Sequence, residues 1–229
     1  MTLKCIASSS DGNSFILTND NGKHLMIEAG LPLPELKKGI NFDVENWQGL
    51  VVSHSHLDHA LSVEKVRSMG IPIFLPYKFE AKRMRTMLGD FLIDTFPVPH
   101  NGTENRGMLI KADGQTIAFM VDLEYCPYDF SKTPINVLIV ECNYIEDLVD
   151  DDIPNLRHKV LGHCELQTTI GIIKNCQKHL RKVFLIHASK GVTMDKNRAI
   201  ERIRTEIPGY IECEFIKDNT EYEISEIPF

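Results

Sequence analysis

The sequence predicts an α/β (α+β) protein whose two packed sheets carry helices on their outer faces, a four-layer αββα sandwich. Three observations lead there. Short apolar runs of strand length alternate with segments of helical spacing along the chain. Both halves are rich in strands, and both hold helices. No internal repeat, low-complexity tract or Pro/Gly/Ser linker divides the 229 residues, so 1–229 is read as one domain.

Each element has its own signal. Residues 2–7 and 14–18 read as strands, Asn19-Asp20-Asn21-Gly22 as a hairpin turn, and 23–28 as the return strand. Residues 34–39 read as a short helix, and 49–53 as a buried strand because the run is apolar. Residues 58–69 have helical spacing that stops at Gly70. Then 71–75 is a strand and 78–88 a helix. Residues 91–98, 108–112 and 116–121 read as strands, the last two joined by an Asp113-Gly114 turn. A strand at 136–141, an amphipathic helix at 165–179, a strand at 182–186 and a helix at 196–206 follow. Pro208-Gly209 stops that helix, and short strands at 210–216 and 221–224 complete the pattern.

Composition excludes several classes. The net charge of −7 rules out a broadly basic nucleic-acid coat and a polybasic membrane anchor. A hydrophobic content of 43% rules out disorder of the whole chain. No apolar run approaches the roughly 18 residues that span a bilayer, so no membrane partner is expected. The first residues lack a signal-peptide core, and the cytoplasm is the expected location. The six cysteines, at 5, 126, 142, 164, 176 and 213, form no C-x-x-C pair and are expected to be reduced, mostly buried thiols.

The chemistry centres on His54-Ser55-His56-Leu57-Asp58-His59, which follows a buried strand and opens a helix. Four ligand-type side chains in six residues cannot all enter a dry core, since each needs a partner there. A tight loop lets them converge on a divalent ion instead, imidazole and carboxylate being natural ligands for zinc and its neighbours. A chain of this composition meets the pattern by chance roughly once in a thousand. One ion rarely takes all four; two ions about 3.5–4 Å apart would, given further ligands. His100, Asp122 and His187 each follow a strand-like apolar run and are the candidates.

The order H-x-H-x-D-H, then His, Asp and His, resembles the metallo-β-lactamase superfamily along nearly the whole chain. Several stretches resemble its WalJ/YycJ-like branch, described as exonucleases, and more distantly the tRNase Z and RNase J phosphodiesterases. Ser8-Ser9-Ser10-Asp11-Gly12-Asn13-Ser14 resembles the branch's G-S-x-G-N-S opening, and Met26-Ile27-Glu28-Ala29-Gly30-Leu31 its L-I-D-A-G-L. Val140-Glu141-Cys142-Asn143 resembles its E-A-N segment. Leu161-Gly162-His163-Cys164-Glu165 resembles its G-H-L-S-N, and Leu185-Ile186-His187-Ala188-Ser189-Lys190 its L-x-H-L-S-K. The chain departs from the pattern at Ala7 and the inserted Asp11, at Glu28 where Asp is expected, and beside His100, Asp122 and His163. No ligand is lost.

The resemblance implies a fold of the metallo-β-lactamase type and two divalent metal ions, zinc or manganese. His54, His56 and His100 would hold one ion, Asp58, His59 and His187 the other, and Asp122 would bridge them. A metal-bridging hydroxide would attack phosphorus, with Asp58 also orienting it. His163 would protonate the leaving oxygen as general acid. The implied substrate is a phosphodiester in DNA or RNA. The alternatives are a cyclic nucleotide, as for the similar anti-Pycsar proteins, and a non-catalytic metal-binding sensor. A homodimer fits the resemblance.

Weaker signals stand beside these. The loop 8–14 suits either a phosphate cradle or a plain turn. Arg106 and Lys190 are candidates for a substrate phosphate, and Lys78, Lys82, Arg83 and Arg85 for a basic helix that tracks a nucleic-acid backbone, although a solvated face is the commoner reading. Asp147, Asp150, Asp151 and Asp152 read as a helix end and loop, His24, His158 and His179 as surface residues, and Trp47 as packing.

Overall fold

The computed structural model describes residues 1–150 and 160–225. In chain order the elements are β1 (Thr2–Ser9), β2 (Gly12–Thr18), β3 (His24–Ile27), α1 (Leu33–Gly39), β4 (Trp47–Val51), α2 (Leu57–Ala60), α3 (Val63–Ser68), β5 (Ile73–Phe74), β6 (Met84–Leu88), β7 (Phe91–Val98) and β8 (Asn105–Ala112). Then come β9 (Gln115–Met120), β10 (Val137–Glu141), α4 (Leu166–Cys176), β11 (Lys182–Ile186), α5 (Lys196–Glu206), β12 (Glu212–Phe215) and β13 (Thr220–Glu223). They form a six-stranded sheet, β13-β1-β2-β3-β4-β5, and a seven-stranded sheet, β12-β11-β10-β9-β8-β7-β6. The described residues divide into two compact units, one within 1–96, 108–115 and 216–225, the other within 97–107, 116–150 and 160–215.

In the first unit β1 runs antiparallel to β13 and β2, and β2 to β3. The β3–β4 and β4–β5 pairs are parallel, because α1 and then α2 and α3 supply the crossovers that parallel strands need. Ile16, Met26, Leu36, Trp47, Leu50, Val52 and Val66 pack into one apolar cluster. Trp47 is therefore core, its Nε1–H donating to the Gly49 carbonyl at 3.0 Å.

In the second unit β9, β10, β11 and β12 are all parallel. Every residue of β9 and β10 is buried, as expected for parallel strands covered on both faces. The crossover helices α4 and α5 begin at Glu165 and Asp195, whose carboxylates accept the first backbone N–H groups.

Two predicted helices are corrected. Residues 58–69 form two short helices, α2 and α3, because Ser62 is claimed from outside: its N–H donates to the Ala29 carbonyl at 2.9 Å and its hydroxyl to the Leu31 carbonyl at 2.6 Å. Residues 78–88 form no α-helix. A 3₁₀ turn at Pro76–Lys78 leads to strand β6, which pairs antiparallel with β7 and sets Arg85 opposite Asp94. The guanidinium meets that carboxylate at 2.6 and 3.0 Å, so Arg85 belongs to a cross-strand ion pair.

Smaller readings are settled too. The loop 8–14 is a tight hairpin with Ser9 opposite Gly12. Its Ser8 N–H already donates to Asp218 at 3.1 Å and its Asp11 N–H to the Ser9 hydroxyl at 3.2 Å, which is the plain-turn outcome. His24 is half-buried, 3.0 Å from the Thr18 hydroxyl, whereas His179 is exposed. Asp147 pairs with Arg198, and Arg106 is buried with Glu104 3.8 Å away. Asp151, Asp152 and His158 lie outside the described residues. Among the described residues no helix is long and apolar enough to cross a membrane.

Candidate metal centre

Parallel strands deliver the chemistry at their carboxyl ends, where α/β sheets place their sites. In the first unit, β4 ends at Val51 and the ligand loop follows at once. The ring centroids of His54 and His59 are 4.2 Å apart, and those of His54 and His56 are 4.6 Å apart. Asp58 Oδ2 lies 3.2 Å from His59 Nε2. His54 and His59 are buried, Asp58 is half-buried, and His56 is exposed. This unit thus brings together all four side chains of the motif.

A mould from β2 and β3 shapes the loop. Glu28, fully buried and at φ 65°, accepts the Ser53 N–H at 3.1 and 3.3 Å and lies 3.4 Å from His59 Nδ1. Asn13 Nδ2 lies 3.1 Å from His59 Nε2 and 3.4 Å from Asp58 Oδ2. Gly30 is required by contact: a Cβ there would fall 1.6 Å from the Asp58 carbonyl oxygen.

The second unit brings together His100, Asp122, His163 and His187. Asp122 follows β9, and His187 directly follows β11. Both have left-handed backbones, at φ 50° and 53°, a conformation that costs an ordinary residue about 1–2 kcal/mol. The Asn105 side chain donates to the Val121 and Asp122 carbonyls and braces that corner. His100 Nδ1–H donates to the Gly162 carbonyl at 2.7 Å. Asp122 Oδ2 lies 3.9 Å from His100 Nε2, and its Oδ1 lies 3.0 Å from His187 Nδ1.

Glu141, legible only as part of the E-A-N-like segment, is the residue to which sequence reading gave no role. It ends the buried strand β10 and is itself fully buried. Its Oε1 accepts the Nδ1 protons of His163, at 2.7 Å, and His187, at 3.0 Å. Its Oε2 accepts the N–H groups of Leu123, at 3.0 Å, and Cys164, at 3.3 Å. The signal was present in Val-Leu-Ile-Val-Glu, where one carboxylate closes an otherwise apolar run. Asn105 had no such signal.

The electrostatics follow from burial. Burial alone opposes ionisation of Glu141, but the charge of His163 and the hydrogen bonds from His163 and His187 hold its carboxyl below the ordinary value. Burial likewise opposes protonation of His163, yet the charges of Glu141 and Asp122 outweigh it and raise the imidazole. The ring of His163 stacks on that of His187 at 5.3 Å.

These donors fit divalent cations. An imidazole whose Nδ1–H is held by a carbonyl or carboxylate presents its Nε2 lone pair, the arrangement found around metal-ligating histidines. His100 and His187 have that tether, and Glu28 faces His59 Nδ1 in the same way. Within the second unit, ligand atoms of Asp122, Glu141, His163 and His187 lie within 4.8 Å of one another.

The sequence signature of the metallo-beta-lactamase superfamily matches residues 9–72. Over 54 residues the chain is 33% identical to the anti-Pycsar protein Apyc1 of Bacillus phage vB_BsuM-Goe3, a match covering 24% of this chain and 21% of that protein. The chain therefore spans about a fifth of the length of that curated relative. Its fold is similar to that of the metallo-beta-lactamase fold protein YhfI from Bacillus subtilis, with a TM-score of 0.75 and 16% identity over 97% of this chain and 99% of that one. Human tRNase Z, short form, is similar with a TM-score of 0.63 and 12% identity, covering 99% of this chain and 100% of that one. With two mixed sheets and their helices, the chain has the α+β fold of the metallo-β-lactamase type, and the superfamily's sequence signature runs across its first candidate ligand loop at residues 9–72.

Proposed function

We propose that this chain is a dinuclear, metal-dependent phosphodiesterase of the nuclease type. The two ligand sets act as one centre within a single domain. His54, His56 and His100 would hold one ion and Asp58, His59 and His187 the other, with Asp122 serving both. The observation that carries the reading is the tethering of Nδ1 on His100 and His187, which commits each Nε2 to the same task. Zinc and manganese both suit the nitrogen and oxygen donors.

When bound, the two cations supply an activated water nucleophile and positive charge for the phosphoryl oxygens. The chain supplies the rest. Glu141 keeps His163 protonated and oriented, and His163 delivers that proton to the leaving oxygen. Asp58, at the opening of α2, orients the attacking water. Human tRNase Z and the anti-Pycsar protein are the relatives whose names bear on a phosphodiester substrate.

A second reading, a small nucleotide diester in place of a polymer, is favoured by the surface of the ligand-bearing loops. Leu57 in the first unit, and Tyr125, Leu161 and Val192 in the second, are each more than half exposed. Glu104 and Glu124 are exposed beside His100 and Asp122, with Lys190 near His187. Apolar and acidic rims suit a base with one phosphodiester better than a long polyanion.

The test is a turnover panel with added manganese or zinc: bis-p-nitrophenyl phosphate, 5′-labelled single- and double-stranded oligonucleotides, and cyclic nucleotides. Cleavage of oligonucleotides supports the nuclease reading. Cleavage of cyclic nucleotides alone replaces it with the second. Metal binding with no cleavage of any diester leaves a binding or sensing protein.

A further inference from the structure

We infer that Asn143 is a positioning residue that fixes His187 in its left-handed turn and so sets the direction of that imidazole; this rests on the reading of His187 as a metal ligand. Strands β10 and β11 run parallel with Glu141 opposite Ile186, and the Cys142 N–H extends the ladder to the Ile186 carbonyl at 3.0 Å. At His187 the backbone turns to φ 53°, and its carbonyl leaves the line of the ladder. The side chain of Asn143 takes over: Nδ2 donates to the His187 carbonyl at 2.7 Å.

The backbone of the same residue holds the neighbouring segments. Its N–H donates to the Cys164 carbonyl at 2.9 Å, next to His163, and its carbonyl accepts the Ser189 N–H at 2.9 Å. Asn143 is buried, so water is a poor substitute for either partner. The two backbone bonds survive any substitution except proline. The carboxamide bond does not, and it is the one that reaches His187. Glu141 holds the ring at Nδ1 and Asn143 holds the carbonyl, with the Asn143 Nδ2 also 3.5 Å from Nδ1, so the two residues together fix the ring and the backbone of His187.

The experiment compares wild type with Asn143→Ala and Asn143→Leu. Both remove the donor, and leucine keeps the branched four-atom shape of the side chain. Cobalt(II) is titrated into the metal-free proteins and followed by its visible absorption, with thermal unfolding of the metal-free proteins alongside. The expected result is two ions in wild type. In both variants one ion weakens about 10- to 100-fold, the size typical of losing an outer hydrogen bond to a ligand, while the other binds as in wild type and the metal-free proteins stay folded with an unfolding midpoint lower by about 2–10 °C. Equal weakening of both ions, or unfolding of both metal-free variants, would mean that Asn143 merely supports the fold and overturns the inference. Two ions bound by the variants as tightly as by wild type overturns it alone. A wild-type protein that binds no cobalt overturns the metal reading and this inference with it.

Discussion

Glu141 Oε1 accepts the Nδ1 proton of His163 across 2.7 Å, at the foot of a strand whose other residues are buried and apolar. A carboxylate so enclosed has few ways to remain charged, and the fold provides two imidazoles and two backbone N–H groups for it. The pair therefore ties the last residue of β10 to the proposed proton donor.

His163→Ala is expected to retain both metal ions and to lower kcat about 10²- to 10⁴-fold on a diester with an alkoxide leaving group. On bis-p-nitrophenyl phosphate, whose leaving group needs no proton, the loss should be much smaller. Equal losses on both substrates would argue against a general acid at this position.

Gly30→Ala and Gly114→Ala separate crowding from backbone strain. A Cβ at Gly30 meets the Asp58 carbonyl, while one at Gly114, at φ 72°, meets nothing within 4 Å. The first should cost about 3 kcal/mol, roughly 6–12 °C in Tm, and weaken metal binding, because the ligand loop must move. The second should cost about 1 kcal/mol, roughly 2–4 °C, and leave metal binding alone. Calorimetry and a metal titration read both.

His24 predicts a pH dependence of stability. Burial, the larger influence, pushes its pKa below the ordinary 6.5 against the pull of Asp43. The unfolded chain then takes up the proton first, so stability present above about pH 6.5 is lost as pH falls toward the depressed folded value. In urea unfolding, the midpoint of wild type should fall more between pH 7.5 and 5.5 than that of His24→Gln. Parallel profiles would refute the assignment.

The thiols should be inert in the native protein. Burial pushes Cys176 and Cys213 up to about 12 and raises Cys142 and Cys164 well above the ordinary thiol range, leaving negligible thiolate at pH 8. Ellman's reagent should label Cys142, Cys164 and Cys176 only after denaturant is added. A rapid native burst at any of the three would contradict their burial.

The sequence made the candidate ligands legible as candidates because six residues hold four ligand-type side chains and the others each follow an apolar run. The parallel core strands were legible for the same reason, as unbroken hydrophobic segments. What escaped depended on distant partners. Residues 58–69 keep helical spacing throughout, yet Ser62 is drawn to Ala29 and Leu31. Residues 78–88 have a helix-like spread of basic residues, yet Arg85 finds Asp94 across a strand pair. Glu141 looks like a strand end until the two imidazoles that share its oxygen are brought beside it.

Glu28, Asp122 and His187 share one backbone habit, φ between 50° and 65°, that glycine and asparagine adopt more readily. A selection for heat resistance alone, blind to turnover, would pull these three positions toward asparagine or glycine, which adopt that habit readily. Thermostabilised descendants of this chain chosen by melting point should therefore be checked first at these three codons, where greater robustness and a dismantled centre would arrive together.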